Sequence, residues 1–126
     1  MAITKVNDVI QYTDEAGTRR YAPPQGAGDP SQSSASNGST VAVASSATPV
    51  TIKAANANRV AVTVANDSTA ILYILLGAGT VSATNYTYAI PAKGTTAADR
   101  TISGYTGIIT GIWSAANGNA LVTELT

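Results

Sequence analysis

An all-β fold is what this sequence predicts: a small antiparallel β-sandwich or barrel, jelly-roll or immunoglobulin-like in kind, behind an extended N-terminal arm. Three observations predict it. From Val41 onward, short runs rich in Val, Ile, Thr and Tyr alternate with Gly, Asn, Asp, Ser and Pro, which is the spacing of a sandwich and not of βαβ units. No window sustains a helical period with capping residues at its ends. Between Pro23 and Thr40 there is no large apolar residue, so that stretch cannot bury enough surface to order itself alone.

The chain divides accordingly into an anchoring arm (residues 1–22), a Pro/Gly/Ser-rich linker (23–40) and a β-sandwich domain (41–126). In the arm, Val9 to Thr13 and Thr18 to Tyr21 flank Asp14-Glu15-Ala16-Gly17 and read as a small hairpin around a Gly-containing turn. A lone two-stranded hairpin is marginal in water, so it needs a surface to dock on. The linker, fully extended at roughly 3.3 Å per residue, reaches on the order of 50 Å, enough to bridge to a neighbouring subunit.

In the domain, Val41 to Ser45 and Pro49 to Lys53 are the first expected strands. Arg59 to Ala65 follows, half-buried, with Val60, Val62 and Val64 alternating with smaller or more polar residues. Asn66-Asp67-Ser68 reads as a turn, and the unbroken apolar run Ala70 to Leu76 as a central strand covered on both faces, ended by Gly77-Ala78-Gly79. Tyr86 to Ile90 is stopped by Pro91. Gly107 to Trp113 is then expected to pair with Leu121 to Leu125 through an Ala116-Asn117-Gly118-Asn119 hairpin turn. Ala54 to Asn58 and Thr96 to Asp99 are at most single helical turns.

Composition narrows the function. Charged residues are 11% of the 126, against about a quarter in ordinary soluble domains, and the formal net charge is zero. So few charges point to a surface covered by neighbours, hence to assembly. A nucleic-acid footprint needs clustered Lys and Arg, and Arg19-Arg20 is the one adjacent basic pair, so no nucleic-acid partner is expected. The N-terminus lacks a charged region followed by an apolar core, and no apolar run approaches spanning length. The expectation is therefore synthesis in a cytoplasm and no membrane partner.

The chain has neither His nor Cys, which removes the usual general base, the thiol nucleophile and the commonest metal ligands, so no catalytic residue, cofactor or metal is expected. The carboxylates that remain are Asp8, Asp14, Glu15, Asp29, Asp67, Asp99 and Glu124. A glycosidase would need two of them facing across a cleft. Asp14, Glu15 and Asp67 fall in expected turns, Asp29 in the linker, and Asp99 beside Arg100 in an expected loop as a local ion pair. The rings Tyr73, Tyr86, Tyr88, Tyr105 and Trp113 are the main bulky groups for a core that has no Phe, so interior packing outranks sugar stacking for them.

Four segments together resemble a known module. Ala55-Asn56-Ala57-Asn58-Arg59, Asn66 to Tyr73, Gly104-Tyr105-Thr106-Gly107 and Gly111-Ile112-Trp113-Ser114-Ala115 occur in the order and spacing of a β-sandwich module of tailed-bacteriophage virion proteins, such as capsid decoration, cement and head-fibre proteins. The resemblance spans about Val41 to Thr126. It implies a non-enzymatic structural protein on the virion capsid surface, made in the host cytoplasm, with the major capsid protein as partner and self-association as a homo-trimer or dimer. The arm would supply the capsid contacts through Val9, Ile10, Tyr12 and Tyr21, with Arg19 and Arg20 as charged contacts. The module also occurs in tail and fibre proteins, so the alternative is a receptor- or carbohydrate-binding role using exposed tyrosines. A two-carboxylate hydrolase ranks last.

Overall fold

The computed structural model describes residues 11–13, 19–21 and 34–126. The first two stretches are strands β1 (Gln11–Thr13) and β2 (Arg19–Tyr21), paired antiparallel with Tyr12 opposite Arg20. The expected arm hairpin thus has its two strands; Val9 and Ile10 lie outside the described residues. This hairpin belongs to a unit of its own, residues 1–32, separate from the compact unit that follows.

The second unit is an all-β sandwich of two antiparallel four-stranded sheets, with no helix among the described residues. Its strands are β3 (Gly38–Ala44), β4 (Val50–Lys53), β5 (Ala61–Asp67), β6 (Leu72–Leu76), β7 (Tyr88–Ile90), β8 (Asp99–Ser103), β9 (Ile109–Trp113) and β10 (Asn119–Leu125). One sheet has the order β3-β10-β5-β8, the other β4-β9-β6-β7.

Alternation along the strands supplies the core. Val62 and Val64 on β5, Ile102 on β8, and Ala120 and Val122 on β10 point inward from the first sheet. From the second come Ile52, Leu72, Ile74, Ile90, Ile109 and Trp113. The valine-lined sheet is thinner and the other bulkier, so large side chains of one meet small ones of the other, as dense packing requires. β6 is the central strand expected, flanked by β9 and β7, with Leu72 and Ile74 buried on one face and Leu75 on the other.

Several boundaries and one connection differ from expectation. β3 starts at Gly38, inside the stretch assigned to the linker, because it pairs with β10 over seven residues that keep a continuous register. β5 runs two residues further than expected, so Asn66 and Asp67 close the strand and the turn begins at Ser68. Asp99 and Arg100 open strand β8 instead of forming a loop. The expected hairpin between Gly107–Trp113 and Leu121–Leu125 does not form: β9 pairs with β4 and β6, whereas β10 pairs with β3 and β5. Asn117-Gly118 therefore turns the chain from one sheet to the other. The reason is burial: Ile109 and Trp113 match the bulky sheet, and Ala120 and Val122 the thin one.

Gly111, in the middle of β9, is held to glycine by this packing. A Cβ there would come within 2.7 Å of Ile52 and 3.1 Å of Leu72, two residues that close over the bare backbone. Gly111→Val is expected to overpack this layer and lower stability by about 2 kcal/mol in urea unfolding, with the m-value unchanged.

Candidate functional site

The polar residues singled out in the sequence assemble into two buried nodes, both part of the scaffold. At one end of the sandwich Arg59 is 3% exposed, an unusual burial for a guanidinium. Its Nε donates to Glu124 Oε2 at 2.8 Å. One terminal nitrogen donates to the carbonyls of Tyr105 (3.1 Å) and Gly107 (2.9 Å), and the other to the carbonyl of Ala54. Arg59 thus ties the loop before β5, the loop before β9 and the last strand together. Glu124 also accepts from Asn56 Nδ2 at 3.2 Å and has Lys53 Nζ at 3.9 Å. Asn56 shapes its own loop as an acceptor for the Asn58 amide (3.0 Å), and an Arg59 N to Asn56 O bond closes a turn where a helical turn was an option.

Partial burial acts to raise the pKa of the Glu124 carboxyl. The hydrogen bonds from Arg59 and Asn56 and the charges of Lys53 and Arg59 outweigh it, so the pKa lies below the ordinary carboxylate value.

The second node centres on Asn66, 2% exposed. Its Oδ1 accepts from the Trp113 indole Nε1 (3.2 Å) and from Ser68 Oγ (2.7 Å). Its Nδ2 faces the carbonyls of Ala70 (2.7 Å), Ile90 (3.1 Å) and Pro91 (2.9 Å). One carboxamide therefore links β5 to β9 of the opposite sheet and to the ends of the segments that start β6 and finish β7.

Of the other described carboxylates, Asp67 is half-buried and Asp99 exposed, and the aromatics divide between core and surface. Asp67 pairs with Lys93 at 3.3 Å beside a shallow cleft of about 470 Å³ that includes Ala65, Thr95, Ala97 and Leu121. Asp99 and Arg100 point to opposite faces of β8 and do not form the local ion pair expected. Instead the Arg100 guanidinium lies 4.3 Å from the centroid of Tyr88, over the gap between β8 and β7. Trp113 is a core residue, and Tyr88 and Tyr105 pack partly against the core, in line with their expected interior roles. Tyr86 departs from that expectation: it is 43% exposed, with its ring centroid 4.9 Å from that of Tyr73.

The broad outward surface of the sheet β3-β10-β5-β8 lies opposite these nodes. Its register aligns Thr40, Thr123, Thr63 and Thr101 in one row across all four strands, with hydroxyl contacts of 2.8 Å (Thr40–Thr123) and 2.9 Å (Thr63–Thr101). The next row holds Ala42, Leu121, Ala65 and Asp99. Sequence reasoning did not single out this face, since Thr and Ala carry no chemical signature; their alternation with buried valines is the signal that could have found it. Of the proposed arm contacts, Tyr12, Arg19, Arg20 and Tyr21 sit on β1 and β2, and Val9 and Ile10 lie outside the described residues.

Comparison with protein-family models, with curated proteins and with solved structures returned no match.

The Arg59–Glu124 node has a defined pH signature. Because Glu124 titrates lower in the folded chain than in the unfolded one, the unfolded state takes up protons first on acidification. The stabilisation is complete above the unfolded value near 4.5 and is lost as pH falls through the folded value. Glu124→Gln leaves a buried guanidinium without its counter-charge and is expected to cost about 3 kcal/mol at neutral pH. The gap to the parent chain should narrow below pH 4.5 in thermal unfolding followed by circular dichroism.

Proposed function

We propose that this chain is a structural virion protein of a tailed phage, a capsid decoration or cement protein that lies on the outer surface of the shell and stabilises it without catalysis. The observation that carries this reading is the outward face of the β3-β10-β5-β8 sheet. It is roughly 20 Å on a side, built from a threonine row and a row of Ala42, Leu121 and Ala65, with Asp99 at its margin. Such a face has little charge to desolvate and hydroxyls that both donate and accept, so it suits a broad contact with another protein.

The polar residues that could have formed a reactive centre have structural occupations: Arg59 with Glu124, and Asn66 with Trp113. The segments on which the phage-module resemblance rests supply Arg59, Asn66 and Trp113, and Glu124 comes from the last strand. Adhesion would work by area, at about 25 cal/mol per Å² of apolar surface covered, multiplied over many copies bridging neighbouring capsid subunits. The partner is the major capsid protein, with further copies of this chain beside it, and the N-terminal arm adds contacts through Val9, Ile10, Tyr12, Arg19, Arg20 and Tyr21.

Empty shells stripped of this protein are the direct test. The full chain is expected to bind them and to raise their melting temperature, and a chain starting at Pro23 is expected to bind at least tenfold more weakly in co-sedimentation. A full chain that ignores the shell and co-purifies with tails would overturn the capsid reading; unchanged affinity of the shortened chain would remove the arm from the contact.

The exposed Tyr86 over Tyr73 specifically favours a second reading, a carbohydrate-binding module of a tail or fibre, because a tilted tyrosine pair offers an apolar face to a sugar ring. On a glycan array this reading expects binding by the full chain that Tyr86→Ala abolishes. Absence of any glycan signal would leave Tyr86 without that role.

A further inference from the structure

The sandwich has four outer strands, and three of them carry devices that block pairing with another strand. β8 bears Asp99 and Arg100. β4 follows Pro49, shifts register between Thr51 and Lys53, and carries the Lys53 charge. β7 is three residues long and is followed by Pro91. Charge, irregular register, shortness and proline are the usual guards of a sheet edge. β3 has none of these: Gly-Ser-Thr-Val-Ala-Val-Ala is seven residues long, uncharged and in unbroken register with β10. Its Val41 is 48% exposed.

The free side of β3 can be assigned residue by residue. Asn37 and Thr126 exchange both backbone bonds at 2.9 Å, and Ser45 N donates to Gly118 O at 2.9 Å, at the two ends of the same register. Bonding alternates along an antiparallel pair, so Ser39, Val41 and Val43 also direct their backbone groups to β10. Gly38, Thr40, Ala42 and Ala44 then direct their N–H and C=O groups outward, where, among the described residues, β3 has no neighbouring strand.

We infer that β3 is a self-pairing edge: two copies of this chain join antiparallel through β3 about a two-fold axis at Val41, fusing their first sheets into one continuous sheet. In this register Thr40 exchanges backbone bonds with Ala42 of the second copy, and Gly38 with Ala44. Val41 meets Val41 as a non-hydrogen-bonded pair, the arrangement in which side chains approach closest, and its exposed methyls are covered. A second copy is the occupant because the strand is complementary to itself: no charge meets its like, the overlap uses all seven residues, and both faces keep their character across the axis. The threonine face would be doubled in length. The pairing does not depend on the capsid reading and holds in the isolated protein.

Sedimentation velocity on the full 12.7-kDa chain tests it. A dimer is expected at about 100 μM, a hundredfold above a micromolar dissociation constant. Val41→Lys, which opposes two ammonium groups at the axis, and Ala42→Pro, which removes an outward N–H and leaves the β10 ladder intact, should each weaken it at least tenfold. Ser103→Lys on the β8 edge should not change it. Hydrogen exchange supplies the second measurement without any variant: the Thr40 and Ala42 amides should gain protection as protein concentration rises. A monomer at all concentrations with fast-exchanging Thr40 and Ala42 amides would overturn the inference, as would a dimer unaffected by both β3 substitutions. Protection of these amides only on a shell would assign the edge to a capsid strand and likewise overturn it.

Discussion

The structure depends most on one buried carboxamide. Asn66 sits at the end of β5 in the thin, valine-lined sheet, yet its oxygen accepts from Trp113 of the opposite sheet and its nitrogen faces the carbonyls of Ala70, Ile90 and Pro91. Hydrophobic burial is non-directional: valines and isoleucines would pack in more than one relative placement of the sheets. A polar group in that interior is different, because every bond it fails to make is a desolvation cost with nothing to offset it. The placement that satisfies Asn66, the Trp113 indole and three carbonyls at once is narrowly defined. Around it Leu72 and Ile90 are fully buried, and Gly111 leaves room for Ile52.

Arg59 plays the matching part at the other end. The loops before β5 and β9 have few apolar residues, and their carbonyls at Ala54, Tyr105 and Gly107 converge on one guanidinium whose charge Glu124 balances. Loops so tied keep their shape without burying large side chains. The result is a division of labour in a chain with few charges. Arg59, Glu124 and Asn66 are spent inside the scaffold, and the outward face of the β3-β10-β5-β8 sheet is left largely to threonine and alanine. A protein of this kind would act through the shape and area of its faces and edges.

Much of the fold was legible because β-strands declare themselves by alternation. Val60-Ala61-Val62-Thr63-Val64 could hardly be anything else, and the run through Leu72 to Leu76 announced a central strand. β8 was illegible because an outer strand buries one side chain, Ile102, and its neighbours Asp99, Arg100, Thr101 and Ser103 look like loop. The β9–β10 connection misled for a related reason. Asn117-Gly118 is a strong local hairpin signal, but which sheet a strand joins is decided by the size of distant partners, and that is a tertiary property. The nodes are half legible: Asn66-Asp67-Ser68 reads as a polar turn, and only the fold reveals that Asn66 points into the core. Arg59 gave no sign of burial, since its counter-charge Glu124 lies 65 residues away. The threonine row could not be seen at all, because a row across strands exists only once the register is known.

A double-mutant cycle between Asn66 and Trp113 tests the ordering role of the carboxamide most directly. Asn66→Ala, Trp113→Phe and the double variant would be unfolded in urea beside the parent chain. If the carboxamide–indole bond is the link that orders the two sheets, the two substitutions should be strongly non-additive, with a coupling energy of about 1–2 kcal/mol. Losses that simply add would mean that the sheets are held by apolar packing alone, and would contradict the central place of Asn66 in the fold.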